Sequence, residues 1–145
     1  MKQITVTISK ESVYNNAQRR TAYLGAKADD EAAYNRTALT DADHDELDAY
    51  WDLAESLLSV SFGKWLYAHN SDGDTCTFSL KVADAIGANT QTEIENCAHA
   101  FMVDTILCKW CVMAAPDKVE FYDKEATSHI TNIQTALLNR QRPTK

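Results

Sequence analysis

The sequence predicts a mainly α protein: a four-helix bundle-like domain with a small two-stranded β element at residues 4–8 and 76–82. Three observations predict it. Residues Asp41–Leu66 place Leu47, Tyr50, Trp51, Ala54, Leu57, Leu58, Phe62, Trp65 and Leu66 at three- and four-residue steps, the period of a helix with one buried stripe. Two later stretches, opened by Thr90 and by Pro116, repeat that rhythm. Two short stretches instead alternate apolar and polar residues, the period of a half-buried strand.

Taken in order, Ile4-Thr5-Val6-Thr7-Ile8 reads as the first strand. Ser9 is placed to cap a helix with Val13, Ala17, Thr21 and Leu24 on its inner side, and Gly25 is its expected stop. Ala26–Leu39 shows no clean period and reads as a loop with one turn of helix at most. Thr40-Asp-Ala-Asp43 has capping-box form before the long helix, which spans roughly 40 Å at 1.5 Å per residue. Asn70-Ser-Asp-Gly73-Asp is a turn cluster. Cys76, Phe78, Leu80 and Val82 then alternate with Thr77, Ser79 and Lys81, and this second strand is expected to pair with the first, because an isolated strand leaves its backbone groups unpaired.

Thr90-Gln-Thr-Glu93 is a full capping box, with Ile94, Cys97, Ala98, Phe101, Thr105, Cys108 and Val112 on one face behind it. Pro116 suits the first turn of the last helix, which carries Val119, Tyr122, Ala126, Ile130, Ile133 and Leu137 inward, and the short break makes the final two helices antiparallel neighbours. The 145 residues form one domain, 1–145, ending in a short basic tail, 139–145. No stretch approaches the roughly 18 consecutive apolar residues of a membrane span, and no membrane partner is expected. The first residues lack the apolar run of a signal peptide, so the chain is expected to be cytosolic when made, with reduced thiols.

The formal charge is −7, and the acids are concentrated. Asp41, Asp45, Asp48, Asp52 and Glu55 fall mainly between the apolar positions of the long helix, giving it an acidic outer face that repels a phosphate backbone. Arg140, Arg142 and Lys145 make the tail basic, either to complement the last helix's dipole or to dock on an acidic neighbour such as this helix of an adjacent copy. These eight residues are the candidate partner-binding set.

Catalytic and metal chemistry finds no support. Cys108-Lys-Trp-Cys111 sits near a helix end rather than opening a helix after a strand, and Cys97 lies three turns, about 16 Å, from Cys108. The four cysteines read as core hydrophobes. Glu95/His99 and Glu125/His129 are four apart, whereas the di-iron bundle motif is Glu-x-x-His, and mirroring about Pro116 sets His129 level with Val103 rather than His99. Surface pairs are the better reading. Asn70, Asp72 and Asp74 alternate like calcium ligands, but Thr75 and Lys81 stand where the loop glycine and bidentate Glu belong. No G-x-S-x-G, phosphate-cradling glycine loop or H-E-x-x-H occurs, and the chain has only four glycines. No enzyme activity, cofactor or metal is expected.

The β-alternating start, Thr21-Ala-Tyr-Leu-Gly-Ala-Lys27, the acidic entry Thr40-Asp-Ala-Asp43, the final helix pair around Trp110 and Pro116, and the end Leu137-Leu-Asn-Arg140-Gln-Arg-Pro143 together resemble the small helical proteins of tailed-phage head–tail connectors, the adaptor or head-completion proteins. The resemblance spans most of the chain in architecture and rhythm. It implies a structural virion protein: a homo-oligomeric ring between portal and tail proteins, through which DNA passes without sticking. Two other classes remain open at this point, a small cytosolic acidic binding or regulatory protein that mimics nucleic acid, and a helical-bundle metalloenzyme.

Overall fold

The computed structural model describes residues 1–27, 44–87 and 89–138. Strand β1 (Lys2–Ser9) runs without a loop into helix α1 (Lys10–Lys27). Helix α2 (His44–Phe62) ends in a single 3-10 turn, Gly63–Trp65, which opens strand β2 (Leu66–Ser71). Strand β3 (Thr75–Val82), helix α3 (Thr90–Ala114), a second 3-10 turn at Pro116–Lys118 and helix α4 (Val119–Leu138) complete the order. The protein is therefore mainly helical, as the sequence predicts.

The sheet has three strands, not two, in the order β1-β3-β2 with both pairings antiparallel. The pairing of β1 with β3 follows the expectation: Ile4, Val6 and Ile8 lie opposite Leu80, Phe78 and Cys76, and all six are buried. Strand β2 corrects the reading of Asp41–Leu66 as one continuous helix. Gly63 adopts φ +53°, a left-handed conformation that costs glycine little and commonly ends a helix, and Leu66 is already extended. Trp65 and Leu66 extended the helical period in the sequence, but the chain has turned before it reaches them. Asp72 holds the β2–β3 turn, its Oδ1 accepting from the backbone N–H groups of Asp74 and Thr75 at 3.0 and 2.8 Å. Those bonds hold the Asp72 carboxyl below its usual range. Gly73 there has φ +93°. The Asn70–Asp74 cluster is thus a hairpin turn whose acid is used by the backbone.

Two helix ends also differ from expectation. Ser9 caps α1 as predicted, its Oγ accepting from the Ser12 N–H at 3.3 Å, but the helix continues past Gly25 to Lys27. In α3 the cap is Asn89 rather than Thr90. Thr90 is the first helical residue, and the Glu93 N–H bonds the Asn89 carbonyl at 3.1 Å, so the capping-box residues fall inside the first turn. The proposed helix start at Asp41 lies outside the described residues.

Helix α3 is the axis of the fold. By length and composition it could cross a membrane, although the sequence reading found no such stretch. Its burial runs unbroken from Phe101 to Leu107 because α1, α2, α4 and β1 all pack against it. A helix apolar on all sides suits the centre of a domain as well as a bilayer. Around it close Leu47, Leu58 and Phe62 of α2, Phe78 and Leu80 of β3, and Ile133 of α4. Trp51 meets Tyr14 edge-on with ring centroids 6.2 Å apart, fastening α2 to α1, while Trp65 and Trp110 pack half-buried on the rim of the core. The tryptophans are packing anchors.

The cysteines behave as the sequence suggests. All four are free, with Cys76 and Cys111 fully buried. Burial pushes the Cys76 thiol up to about 12 and that of Cys111 up to about 11, so neither is a thiolate at neutral pH.

Candidate functional site

Of the eight candidate partner-binding residues, Asp41, Arg140, Arg142 and Lys145 lie outside the described residues. The other four stand on α2 and have different surroundings. Asp45 and Asp52 are exposed on its outer side and form no ion pair among the described residues. Asp48 is turned toward α1, where Lys10 Nζ lies 3.0 Å from its Oδ1 and the Tyr14 hydroxyl donates to the same oxygen at 2.6 Å. Burial, and then Asp48, push the Tyr14 hydroxyl far above its ordinary range.

Glu55 corrects the acidic-face reading further. Its side chain is only 13% exposed and its Oε1 lies 3.6 Å from His69 Nε2 on β2. Cys76 on β3 is the next group against it, and Glu55 adds to burial in raising that thiol. His69 in turn stacks on Phe78 with centroids 4.5 Å apart and bonds Ser59 Oγ through Nδ1 at 3.2 Å. Glu55 therefore joins α2 to the sheet. The reason is angular: at 100° per residue, Glu55 sits about 60° from the centre of the buried stripe, and Asp48 about 80°.

The outer side of α2 carries a feature the sequence reading missed. Leu53, Leu57 and Val60 are exposed, Val60 by 77%. Leu57 was expected in the buried stripe; it falls about 100° from that stripe's centre and points outward. Spaced by four and three residues, these side chains form an apolar ridge along the solvent face, with Asp45 and Asp52 on its flank.

At the C-terminal end of α2 lies a surface of opposite character. Met1, Lys64, Trp65, Lys81, Ala83, Leu137 and Leu138 enclose a pocket of about 380 Å³. Lys64 Nζ stands 5.2 Å from the Trp65 ring centre, and Lys81 Nζ 5.0 Å from that of the exposed Tyr67. Neither lysine has a carboxylate partner among the described residues. The Met1 ammonium lies 3.4 Å from Asp84. The chain leaves the described structure at Leu138, on the wall of this pocket.

A third feature is internal. Asp104, only 2% exposed on α3, accepts from Arg20 Nη1 at 2.8 Å through Oδ1 and shares a 2.8 Å hydrogen bond with His129 Nε2 through Oδ2. Burial raises the Asp104 carboxyl, and Arg20 and His129 oppose that rise. A groove of about 570 Å³ lies over the trio, lined also by Tyr23, Phe121 and Glu125. Ligand atoms of Asp104, Glu125 and His129 fall within 4.8 Å of one another, close enough to hold a cation. Such an ion would break the His129–Asp104 bond and sit beside a guanidinium that already neutralises the aspartate. The arrangement is better suited to tying α1, α3 and α4 together. The second sequence pair, Glu95 and His99, is not part of this cluster; His99 bonds Ser12 Oγ at 3.0 Å, and burial followed by the charge of Arg20 lowers its pKa. Mirroring about Pro116 had set His129 level with Val103, one residue from its true partner. The available signal was Asp104 itself, an acid within the apolar run 101–107 that demands a buried partner.

No family model, curated protein or solved structure matches the chain. Function is therefore read from these surfaces.

Proposed function

We propose that this chain is a structural protein of a tailed phage or prophage, a subunit of the homo-oligomeric head–tail connector ring that joins portal to tail proteins and lets DNA pass without sticking. The observation that carries the reading is the outer side of α2. It presents an apolar ridge, Leu53, Leu57 and Val60, that a lone subunit leaves in water, beside acids that repel DNA. Strands β1 and β2 are both sheet edges, a further place for a neighbouring chain to add. A nucleic-acid mimic would also use Asp45 and Asp52. The apolar ridge beside them favours a packed protein partner over mimicry alone. Among the described residues, burial holds the Cys76 and Cys111 thiols protonated, and the buried Asp104 is engaged by Arg20 and His129.

The reading is tested genetically in the source phage or prophage. Deleting the reading frame is expected to leave DNA-filled heads and separate tails that fail to join, visible by electron microscopy of lysates. Infectious tailed particles from the deletion strain would overturn it.

A further inference from the structure

The outer side of α2 and the pocket beyond its C-terminal end are different and complementary. One is an apolar ridge flanked by acids without an ion-pair partner among the described residues, Leu53, Leu57 and Val60 beside Asp45 and Asp52. The other is an apolar pocket flanked by bases without a carboxylate partner among the described residues, Trp65, Leu137 and Leu138 beside Lys64 and Lys81. In a chain of net charge −7 a pocket edged by two lysines stands out. We propose that the occupant of this pocket is the α2 ridge of a second copy of this chain. Lys64 and Lys81 of one copy face Asp45 and Asp52 of the next.

This proposal rests on the ring reading and specifies its contact. The charges make the contact directional, because ridge against ridge juxtaposes acids and pocket against pocket juxtaposes lysines. A two-fold dimer that buries one patch against itself is thereby disfavoured. Ridge into pocket is heterologous: each copy keeps a free ridge at one end and a free pocket at the other, so addition repeats until the rotation closes a ring. The apolar side chains supply the desolvated centre and the charges the rim, the usual division in a protein interface.

Charge reversal tests the contact in the full chain. One variant carries Lys64→Glu and Lys81→Glu; the other carries Asp45→Lys and Asp52→Lys. All four residues are exposed, so both variants are expected to fold, which circular dichroism and urea unfolding check. Native mass spectrometry at low salt and high protein concentration is expected to show oligomers for the unmodified chain and monomers for each variant alone. An equimolar mixture is expected to assemble again, with the two variants in equal numbers, since each junction then pairs opposite charges. An unmodified chain that stays monomeric overturns the ring reading and this contact with it. Oligomers that persist in both variants, or variants that remain monomeric when mixed, overturn the contact and leave the ring reading standing.

Discussion

Replacing Arg20 with alanine is expected to destabilise the fold by about 3 kcal/mol at neutral pH, the lower end for removing one partner of a buried ion pair, because Arg20 is itself half exposed. The cost comes from Asp104, which stays buried between α1, α3 and α4 with only His129 bonded to it. The pH dependence has a definite sign. Burial already raises the folded-state pKa of Asp104 above its ordinary value of 3.8, so the folded form binds the proton more tightly and stability falls as pH rises through that interval. Without Arg20 the interval extends upward. The variant should thus match the parent most closely below pH 3.8 and fall behind as pH rises. Urea midpoints across the acidic range measure this, given unchanged slopes. Adding Asp104→Asn to Arg20→Ala should recover part of the loss and flatten the profile. A constant gap at all pH values would show that Arg20 acts through packing alone.

Phe78→Ala is expected to cost about 3–5 kcal/mol, the range for emptying a large aromatic site in a packed core. Phe78 is fully buried on the central strand β3, opposite Val6, with its ring tilted on Phe62 at 5.2 Å and stacked on His69 at 4.5 Å. It therefore links the sheet, through Val6 and His69 on its two neighbouring strands, to α2 through Phe62. A fall in melting temperature on the order of 10 °C should follow. Tyr67→Ala, on the exposed side of β2, should stay within about 0.5 kcal/mol of the parent. Equal losses in the two variants would contradict the assignment of Phe78 as the joint between sheet and helices.

The contrast between these two residues also shows what the sequence could reveal. Strands β1 and β3 bury every second residue, so Ile4-Val6-Ile8 and Cys76-Phe78-Leu80 announce both the strands and their pairing. Strand β2 is an edge whose Leu66 and Ala68 are only half-buried, and its residues carry little alternation to read. Helices α2 and α4 each have one buried face and were legible from their period. In α3 the face Ile94, Cys97, Ala98, Phe101, Thr105, Cys108 and Val112 describes the burial only in part: burial is continuous from Phe101 to Leu107, Val112 is exposed, and the capping residues are read one position late.

The candidate site was less legible, because periodicity reports the centre of a buried stripe better than its edges. Leu57, Asp48 and Glu55 all stand at the margin of the α2 stripe. There a rotation of tens of degrees decides between solvent, Lys10 and His69. Asp104 needed knowledge of which helix crosses α3 at that level, and Arg20 supplies the charge from a residue 84 positions away. The lysine pocket is assembled from four segments distant in sequence, which no local pattern announces.

The proposed connector role makes this chain a built-in part of a virion. Quantitative mass spectrometry of purified phage particles, induced from the source strain or grown on its host, tests it most directly. The predicted result is that the chain is present in every preparation at a fixed ratio to the portal protein, at a ring-like copy number. Infectious particles that contain no copies of it would contradict the account.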